Sequence, residues 1–140
     1  MIIVPLTVEH VLSIEPQQAQ DDVSVDERVA TAKALMHVGQ SYALLDADGV
    51  MCIAGIAHQW EGRGMAWALV SRHAGRKMRL LTRIISRYLD AVNYRRIEMY
   101  VDAQFATGCR WATMLGFKDE GRLASFMPNG NDAFMYGRVK

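Results

Sequence analysis

The feature that most constrains the fold of this chain is the continuous stretch of residues 65–92. An apolar run at 65–70 is followed by the glycine-containing segment 71–75 and then by a long segment with helical periodicity. This pattern predicts a strand, a turn and a helix in that order. Because a helix start offers unbonded backbone N–H groups, and basic residues surround this one, the junction favours the binding of a phosphate group.

The helical part of this stretch is basic, although the whole chain is nearly neutral. The chain has 16 Lys and Arg residues, 15 Asp and Glu residues and a formal net charge of +1. The basic residues that precede Asp90 in this stretch are Arg72, Arg76, Lys77, Arg79, Arg83 and Arg87. The sequence therefore predicts a local positive site on a mildly acidic body. The small net charge and the lack of interleaved aromatic residues argue against a nucleic-acid partner.

The chain length of 140 residues suits one compact domain spanning 1–140. Cys52 and Cys109 lie in apolar segments without a CxxC motif or a His and Cys cluster, so we expect buried free thiols and no metal site. The N-terminus lacks the pattern of a signal peptide. No segment approaches the about 20 apolar residues that a membrane span needs. We therefore expect a cytoplasmic protein without a membrane partner.

The first half of the chain predicts two helices and a meander of strands. Thr7 is placed to cap the first helix, Ser24 and Glu27 form the pattern of a capping box for the second, and Gly39 suits its C-terminal cap. The predicted elements are a strand at 2–4, helices at 8–14 and 25–38, and strands at 41–45, 50–58 and 65–70. The strand at 50–58 is apolar on both faces and is expected to be central.

The second half predicts two helices that alternate with strands. The predicted elements are a helix after Gly75, a strand at 96–101, a helix at 105–115, and strands at 117–123 and 133–139. A strand, a helix and a strand in succession require a crossover connection. The strands at 65–70 and 96–101 should therefore be parallel.

The predicted order β-α-α-β-β-β-α-β-α-β-β resembles that of the GNAT superfamily of acyl-CoA-dependent N-acyltransferases. Residues 72–77, RHAGRK, are similar to the phosphate loop of the family, Q/R-x-x-G-x-G/A, with Lys77 in the last place. Residues 112–117, ATMLGF, resemble the helix end before its LGF turn. The resemblance implies an α/β (α+β) fold with a mixed central sheet of about six to seven strands and about four helices on both faces. The chain also resembles small acetyltransferase-like proteins encoded by bacteriophages.

The resemblance implies acetyl-CoA as the cosubstrate and an amine, on a small molecule or a protein, as the acceptor. In the family, the pantetheine arm of the coenzyme hydrogen-bonds strand backbone, and the corresponding walls here are 66–71 and 98–102. Backbone N–H groups would bind the pyrophosphate, and Gly75 would let the backbone approach it closely. The residues implied in coenzyme binding are Leu69, Val70, Ser71, Arg72, His73, Ala74, Gly75, Arg76 and Lys77.

The sequence departs from the family pattern at the positions that handle protons. The segment 65–71 contains no carboxylate to act as general base, and Ala112 stands where the family has a tyrosine as general acid. Two hypotheses therefore stay open. The chain is either an N-acetyltransferase or a GNAT-fold binding or structural protein without catalysis, such as a phage particle component or a protein that binds a host protein.

Three residues are candidates for the missing catalytic roles, each with a structural alternative. His58 could accept a proton, or it is a polar residue at a strand end. Ser71 could contact the thioester, or it is a hydroxyl at the loop entry. Tyr136 could act as an acid, or it is a core aromatic residue. Further residues with weaker cases are Glu61, His73, Tyr100, Cys109, Trp60 and Trp67. The sequence allows a homo-oligomer and a location in a host cytoplasm or a virion.

Overall fold

The computed structural model describes residues 1–140, which form seven strands and four α-helices. The elements are β1 (Ile2–Pro5), α1 (Val8–Ser13), α2 (Val25–His37), β2 (Gly39–Asp46), β3 (Gly49–Trp60), β4 (Arg63–Val70), α3 (Met78–Ala91), β5 (Arg96–Asp102), α4 (Ala106–Met114), β6 (Lys118–Leu123) and β7 (Ala133–Val139). The strands form a mixed sheet in the order β1-β2-β3-β4-β5-β7-β6, which confirms the predicted fold class and element order.

The chain divides into two compact units that share β3 and β4. The first unit comprises residues 1–58 and 66–78, and the second comprises residues 59–65 and 79–140. The single domain spanning 1–140 stays a prediction. We find no helix with the length and the apolar composition that a membrane span requires.

In the first unit, α1 and α2 contribute to one core with β2 and β3. The β2 and β3 strands are antiparallel, with Ala43 opposite Ile53. These two side chains are buried together with Val11 of α1 and Ala32 of α2. Cys52 on β3 is also fully buried, and this burial raises the pKa of its thiol to about 12. The prediction of a central, apolar β3 and a buried free thiol at Cys52 is confirmed, whereas the prediction that Cys109 is buried is wrong, because its side chain is only partly buried.

Both helices of the first unit start at the residues that the sequence indicates. The Thr7 side chain accepts a hydrogen bond from the His10 N–H at 3.4 Å, and the Ser24 hydroxyl accepts one from the Glu27 N–H at 3.1 Å. These bonds satisfy N–H groups that have no partner within the helix. Local side-chain chemistry therefore places these helix starts.

The predicted role of Gly39 as a helix cap is wrong, because Val38 is the C-terminal cap of α2 and Gly39 begins β2. Gly39 lies opposite Ala57 in the β2–β3 ladder. A Cβ atom at position 39 would lie 1.9 Å from the Ile56 carbonyl oxygen. The glycine is therefore required by the close approach of two strands, which is a contact between distant parts of the chain.

The predicted end of β3 at His58 is also wrong, since the strand continues to Trp60. The His58 N–H donates to the Val38 carbonyl oxygen at 2.8 Å, and the His58 side chain is exposed. His58 therefore lies inside an extended strand. Polar residues after an apolar run had indicated an end that the backbone does not make.

The second unit contains the parallel pair that the sequence predicts. Met65 on β4 lies opposite Glu98 on β5, and the two strands run in the same direction. The β7 strand pairs antiparallel with both β5 and β6. Gly116 follows α4 with a φ of +90°, a conformation that favours glycine, and so ends the helix as expected.

Candidate functional site

The segment of residues 71–77, called the phosphate loop here, connects β4 directly to α3. After a turn at Ser71–Ala74, a 3-10 turn at Gly75–Lys77 continues without a break into α3. The Ser71 carbonyl oxygen accepts from the Ala74 N–H at 3.1 Å, and the Ala74 carbonyl oxygen accepts from the Lys77 N–H at 2.7 Å. The N–H groups of Gly75 and Arg76 have no protein acceptor. Two adjacent donors at the start of a helical segment suit an anion.

The phosphate loop is held in place by two buried residues. Ala74 is fully buried, and Ser71 is 1% exposed. The Ser71 N–H donates to the Met51 carbonyl oxygen on β3 at 2.9 Å, and the Ser71 hydroxyl accepts from the His73 N–H at 3.1 Å. These bonds fix the backbone that leads to the free N–H groups. The hydroxyl of Ser71 therefore has a structural partner inside the loop.

Gly75 is not required by the packing of the protein itself. A Cβ atom at this position would have no protein atom within 4 Å, and its φ lies outside the left-handed region. The space above the Gly75 backbone is therefore open. A glycine here leaves room for a ligand next to the free N–H groups.

Most of the positive charges of the phosphate loop have carboxylate partners in the first unit. Lys77 pairs with Asp46 and lies 3.3 Å from Asp48. Two further carboxylate partners, Glu15 and Asp21, lie in the segment before α2. The His73 Nε2 atom is 2.9 Å from Glu15, which holds the pKa of Glu15 below its usual range.

Arg72 and Arg76 differ in their surroundings. The Arg72 guanidinium is 3.7 Å from Asp21 and 4.0 Å from Glu15. Arg76 is exposed and has no carboxylate partner. Among Arg72, Arg76 and Lys77, the arginine and lysine residues of the phosphate loop, Arg76 is therefore the one that is free without breaking an ion pair.

A cavity of about 430 Å³ adjoins the phosphate loop on the side of α1. Ser71 and His73 contribute to its wall, and so do the carboxylates of Glu9, Glu15 and Asp48. These carboxylates repel anions. The cavity therefore does not extend the anion-binding surface of the loop.

The three candidate catalytic residues, His58, Ser71 and Tyr136, have different surroundings. His58 is exposed on β3 of the first unit, whereas Ser71 of the same unit is buried. Tyr136 lies on β7 of the second unit and is 5% exposed. Burial and, to a lesser degree, a hydrogen bond with Cys109 raise the pKa of Tyr136 to about 12. The roles of these residues in catalysis stay predictions.

The second unit contains a charged cluster, centred on Glu98, that the sequence does not predict. Glu98 is 4% exposed on β5 and accepts two hydrogen bonds from Arg63 of β4, at 2.7 and 2.8 Å. Arg96 donates a third at 2.8 Å and also bonds Glu120 of β6. The Tyr100 hydroxyl donates to Glu98 at 3.4 Å. The cluster joins strands from three parts of the sequence.

The cluster changes how Glu98 can act. The hydrogen bonds from Arg63, followed by those from Arg96, outweigh burial and lower the pKa of Glu98 to about 2. A carboxylate with such a pKa is a weak base at neutral pH. Glu98 is therefore an ion-paired carboxylate that stabilises the fold, and it is not the missing general base. The one signal in the sequence was an acid within an alternating strand pattern.

We expect the stability that Glu98 provides to disappear in acid. Its pKa is lower in the folded chain than the about 4.3 of an unfolded glutamate, so its contribution is complete above that pH and is lost as the pH falls toward 2. Denaturation of the wild type and Glu98→Gln between about pH 6 and pH 2 measures this. The stability difference should shrink on acidification, and a constant difference would contradict the lowered pKa.

The loop at 124–132 is held by Asp102 at the end of β5. Asp102 accepts hydrogen bonds from Asn129 at 3.0 Å and from Asn131 at 3.1 and 3.2 Å. The ring of Phe126 lies 4.8 Å from that of Tyr100, between centroids. This loop is therefore an ordered part of the second unit.

Comparisons with known proteins identify the fold. No family model matches the chain, and no curated protein matches it. Among solved structures, a spermidine N-acetyltransferase chimera from Vibrio cholerae and hSSAT has a TM-score of 0.71 at 15% identity, covering 99% of this chain and 94% of that one. An N-acetyltransferase from Staphylococcus aureus Mu50 has a TM-score of 0.71 at 18% identity, covering 99% and 97%.

A third solved structure, the protein smu.2055 from Streptococcus mutans UA159, has a TM-score of 0.72 at 17% identity and covers 99% of both chains. Identities of this size show the fold alone. The likeness to phage-encoded proteins stays a prediction. The three structures cover nearly the whole chain, so the chain has the fold of the GNAT N-acetyltransferases.

Proposed function

We propose that the chain is an acyl-CoA-dependent N-acetyltransferase that acts on an amine of a small molecule or a protein. The observation that carries the proposal is the pair of free N–H groups at Gly75 and Arg76, placed between β4 and α3 of a GNAT fold. The structural neighbours that are named N-acetyltransferases support it.

The phosphate loop would bind the pyrophosphate of coenzyme A. The N–H groups of Gly75 and Arg76 would donate to its oxygens, and the positive end of the helical segment would add to the attraction. The guanidinium of Arg76 can donate two parallel hydrogen bonds to a phosphate. The remaining residues of 69–77 would supply backbone and packing. The acyl donor supplies the activated thioester, and the protein orients it toward the amine.

Proton transfer from the amine would fall to His58 or to water. The buried hydroxyl of Ser71 already accepts a hydrogen bond from the loop backbone. The pKa of Tyr136, about 12, makes its phenol a weak acid. His58 is exposed, and imidazole is the side chain that most often serves as a general base in enzymes. These features favour His58 over the other two candidates.

The alternative is a GNAT-fold protein that binds a ligand or a partner without catalysis. The contact of His73 with Glu15, the ion pair of Lys77 and the low pKa of Glu98 favour this alternative, because the loop then has less free charge and Glu98 is a weak base. The two hypotheses differ in turnover. Release of the coenzyme thiol from acetyl-CoA, measured over a panel of amines, separates them.

We expect Gly75→Glu to abolish the binding of coenzyme A and Gly75→Gln to weaken it less. Both side chains have the same size and meet no protein atom near the backbone, so both variants should fold. They differ in the negative charge, which repels a pyrophosphate at the two N–H groups. Calorimetric titration with coenzyme A and acetyl-CoA measures the affinities.

The matched pair makes the result specific. A loss at least about tenfold greater for glutamate than for glutamine would support an anion site at Gly75. Wild-type protein that does not bind at millimolar coenzyme would overturn the proposed function. Equal affinities of both variants and the wild type would place any binding elsewhere.

A further inference from the structure

One edge at the end of β4 is hydrogen-bonded by the segment that precedes α2. The Ser71 N–H points to β3, where it donates to Met51. Successive residues of a strand point their N–H and C=O groups to opposite edges, so those of Val70 point away from β3. The Val70 carbonyl oxygen accepts from the Gln17 N–H at 3.0 Å. The outer edge of β4 is therefore in use at this end.

The side chain of Gln20 continues this pairing. Its Oε1 atom accepts from the Val70 N–H at 3.0 Å, and its Nε2 atom donates to the Ala68 carbonyl oxygen at 3.1 Å. A planar amide that both donates and accepts along a strand edge bonds it in the way that a peptide group of a neighbouring strand does. The Gln20 carboxamide thus replaces a backbone amide at the edge of β4.

The pantetheine arm of coenzyme A also carries planar secondary amides on an extended chain. If the phosphate loop binds the pyrophosphate, the arm continues from the loop toward the strand that enters it. Beyond the groups that the backbone of Glu15 and Gln17 bonds, the next backbone groups on the outer edge are the Val70 N–H and the Ala68 carbonyl oxygen. Gln20 bonds these same groups.

We propose that the Gln20 carboxamide occupies the position of a coenzyme amide at Ala68 and Val70, and that the coenzyme must displace it to bind. This inference rests on the proposed function. The displacement needs only a rotation of the Gln20 side chain, which is half-buried, whereas the backbone hydrogen bonds of Glu15 with Arg72 and of Gln17 with Val70 can stay. Gln20 therefore opposes the binding of the pantetheine arm and has no effect on the binding of the phosphates.

The test compares two ligands on three proteins by calorimetric titration. The ligands are coenzyme A and its nucleotide half, adenosine 3′-phosphate 5′-diphosphate. This nucleotide keeps all of the phosphate groups and lacks the pantetheine arm. The proteins are the wild type, Gln20→Ala and the control Gln18→Ala. Gln18 lies with Gln20 in the 3-10 turn Gln18–Gln20, and its exposed side chain makes no hydrogen bond to β4. Gln20→Met, which keeps the length of the side chain, serves if the alanine variant does not fold.

We expect Gln20→Ala to bind coenzyme A about tenfold more tightly than the wild type, because two hydrogen bonds no longer have to be broken. The affinity for the nucleotide half should stay unchanged, and Gln18→Ala should behave as the wild type. Unchanged or weaker binding of coenzyme A, with normal binding of the nucleotide half, would overturn this inference and leave the proposed function intact. Equal tightening of both ligands would also overturn it. Failure of all proteins to bind either ligand would overturn both.

Discussion

Replacing Glu98 by glutamine is expected to lower the free energy of unfolding by about 3 kcal/mol. The change keeps the shape of the side chain and removes its charge. Arg63 and Arg96 then lose the carboxylate to which they donate three hydrogen bonds, at a position that is 4% exposed. The side chains of Arg63 and Arg96 are 23% and 27% exposed, so water compensates only in part for the carboxylate that both lose. Urea denaturation at neutral pH measures the loss.

Glu120→Gln is the matched control for this result. Glu120 bonds the same Arg96, but its side chain is 34% exposed, so water compensates for the lost charge. We expect a loss below about 1 kcal/mol. Losses of equal size at Glu98 and Glu120 would show that burial does not govern this cluster.

Gly39→Ala should cost at least about 3 kcal/mol, because the new methyl group has no room between β2 and β3. The Cβ atom would lie 1.9 Å from the Ile56 carbonyl oxygen and 3.1 Å from the Ala57 Cα atom. These are backbone atoms of a paired strand, so relief requires the ladder to open. The measurement is again the midpoint of urea denaturation, together with the amide exchange of β2 and β3.

The same substitution at Gly75 provides the control. Gly75→Ala places a methyl group where no protein atom lies within 4 Å and where the backbone is not left-handed. Stability should stay within about 0.5 kcal/mol of the wild type. A large loss at Gly75, or none at Gly39, would contradict the packing described for these two glycines.

The order of the elements could be predicted from sequence because local signals specify it. The hydroxyl side chains of Thr7 and Ser24 begin the two helices that they were predicted to begin. The apolar period after Gly75 and the alternation at 96–101 locate α3 and β5. Each of these signals acts within about one turn or one strand. The crossover connection that a strand–helix–strand order requires then supplied the parallel pairing of β4 and β5.

The contacts that define the candidate site could not be read in this way. Glu98 meets Arg63 across 35 positions of sequence, and Gln20 meets Val70 across 50. Lys77 reads as a phosphate ligand from its place in the loop, yet its partner Asp46 lies on another strand. Such pairings depend on the tertiary fold, which local periodicity does not encode. The acid and base roles depend on burial and were therefore left open.

The buried thiol of Cys52 has a practical consequence for kinetic work on this chain. A reagent that labels thiols reacts with the thiolate, and Cys52 is fully enclosed with a pKa of about 12. Its modification therefore waits for β3 to become accessible through local or global opening. The labelling rate of the Cys52 thiol therefore measures how readily the first unit opens. In an assay that measures the released coenzyme thiol with such a reagent, the buried Cys52 thiol does not contribute to the signal as long as the protein stays folded.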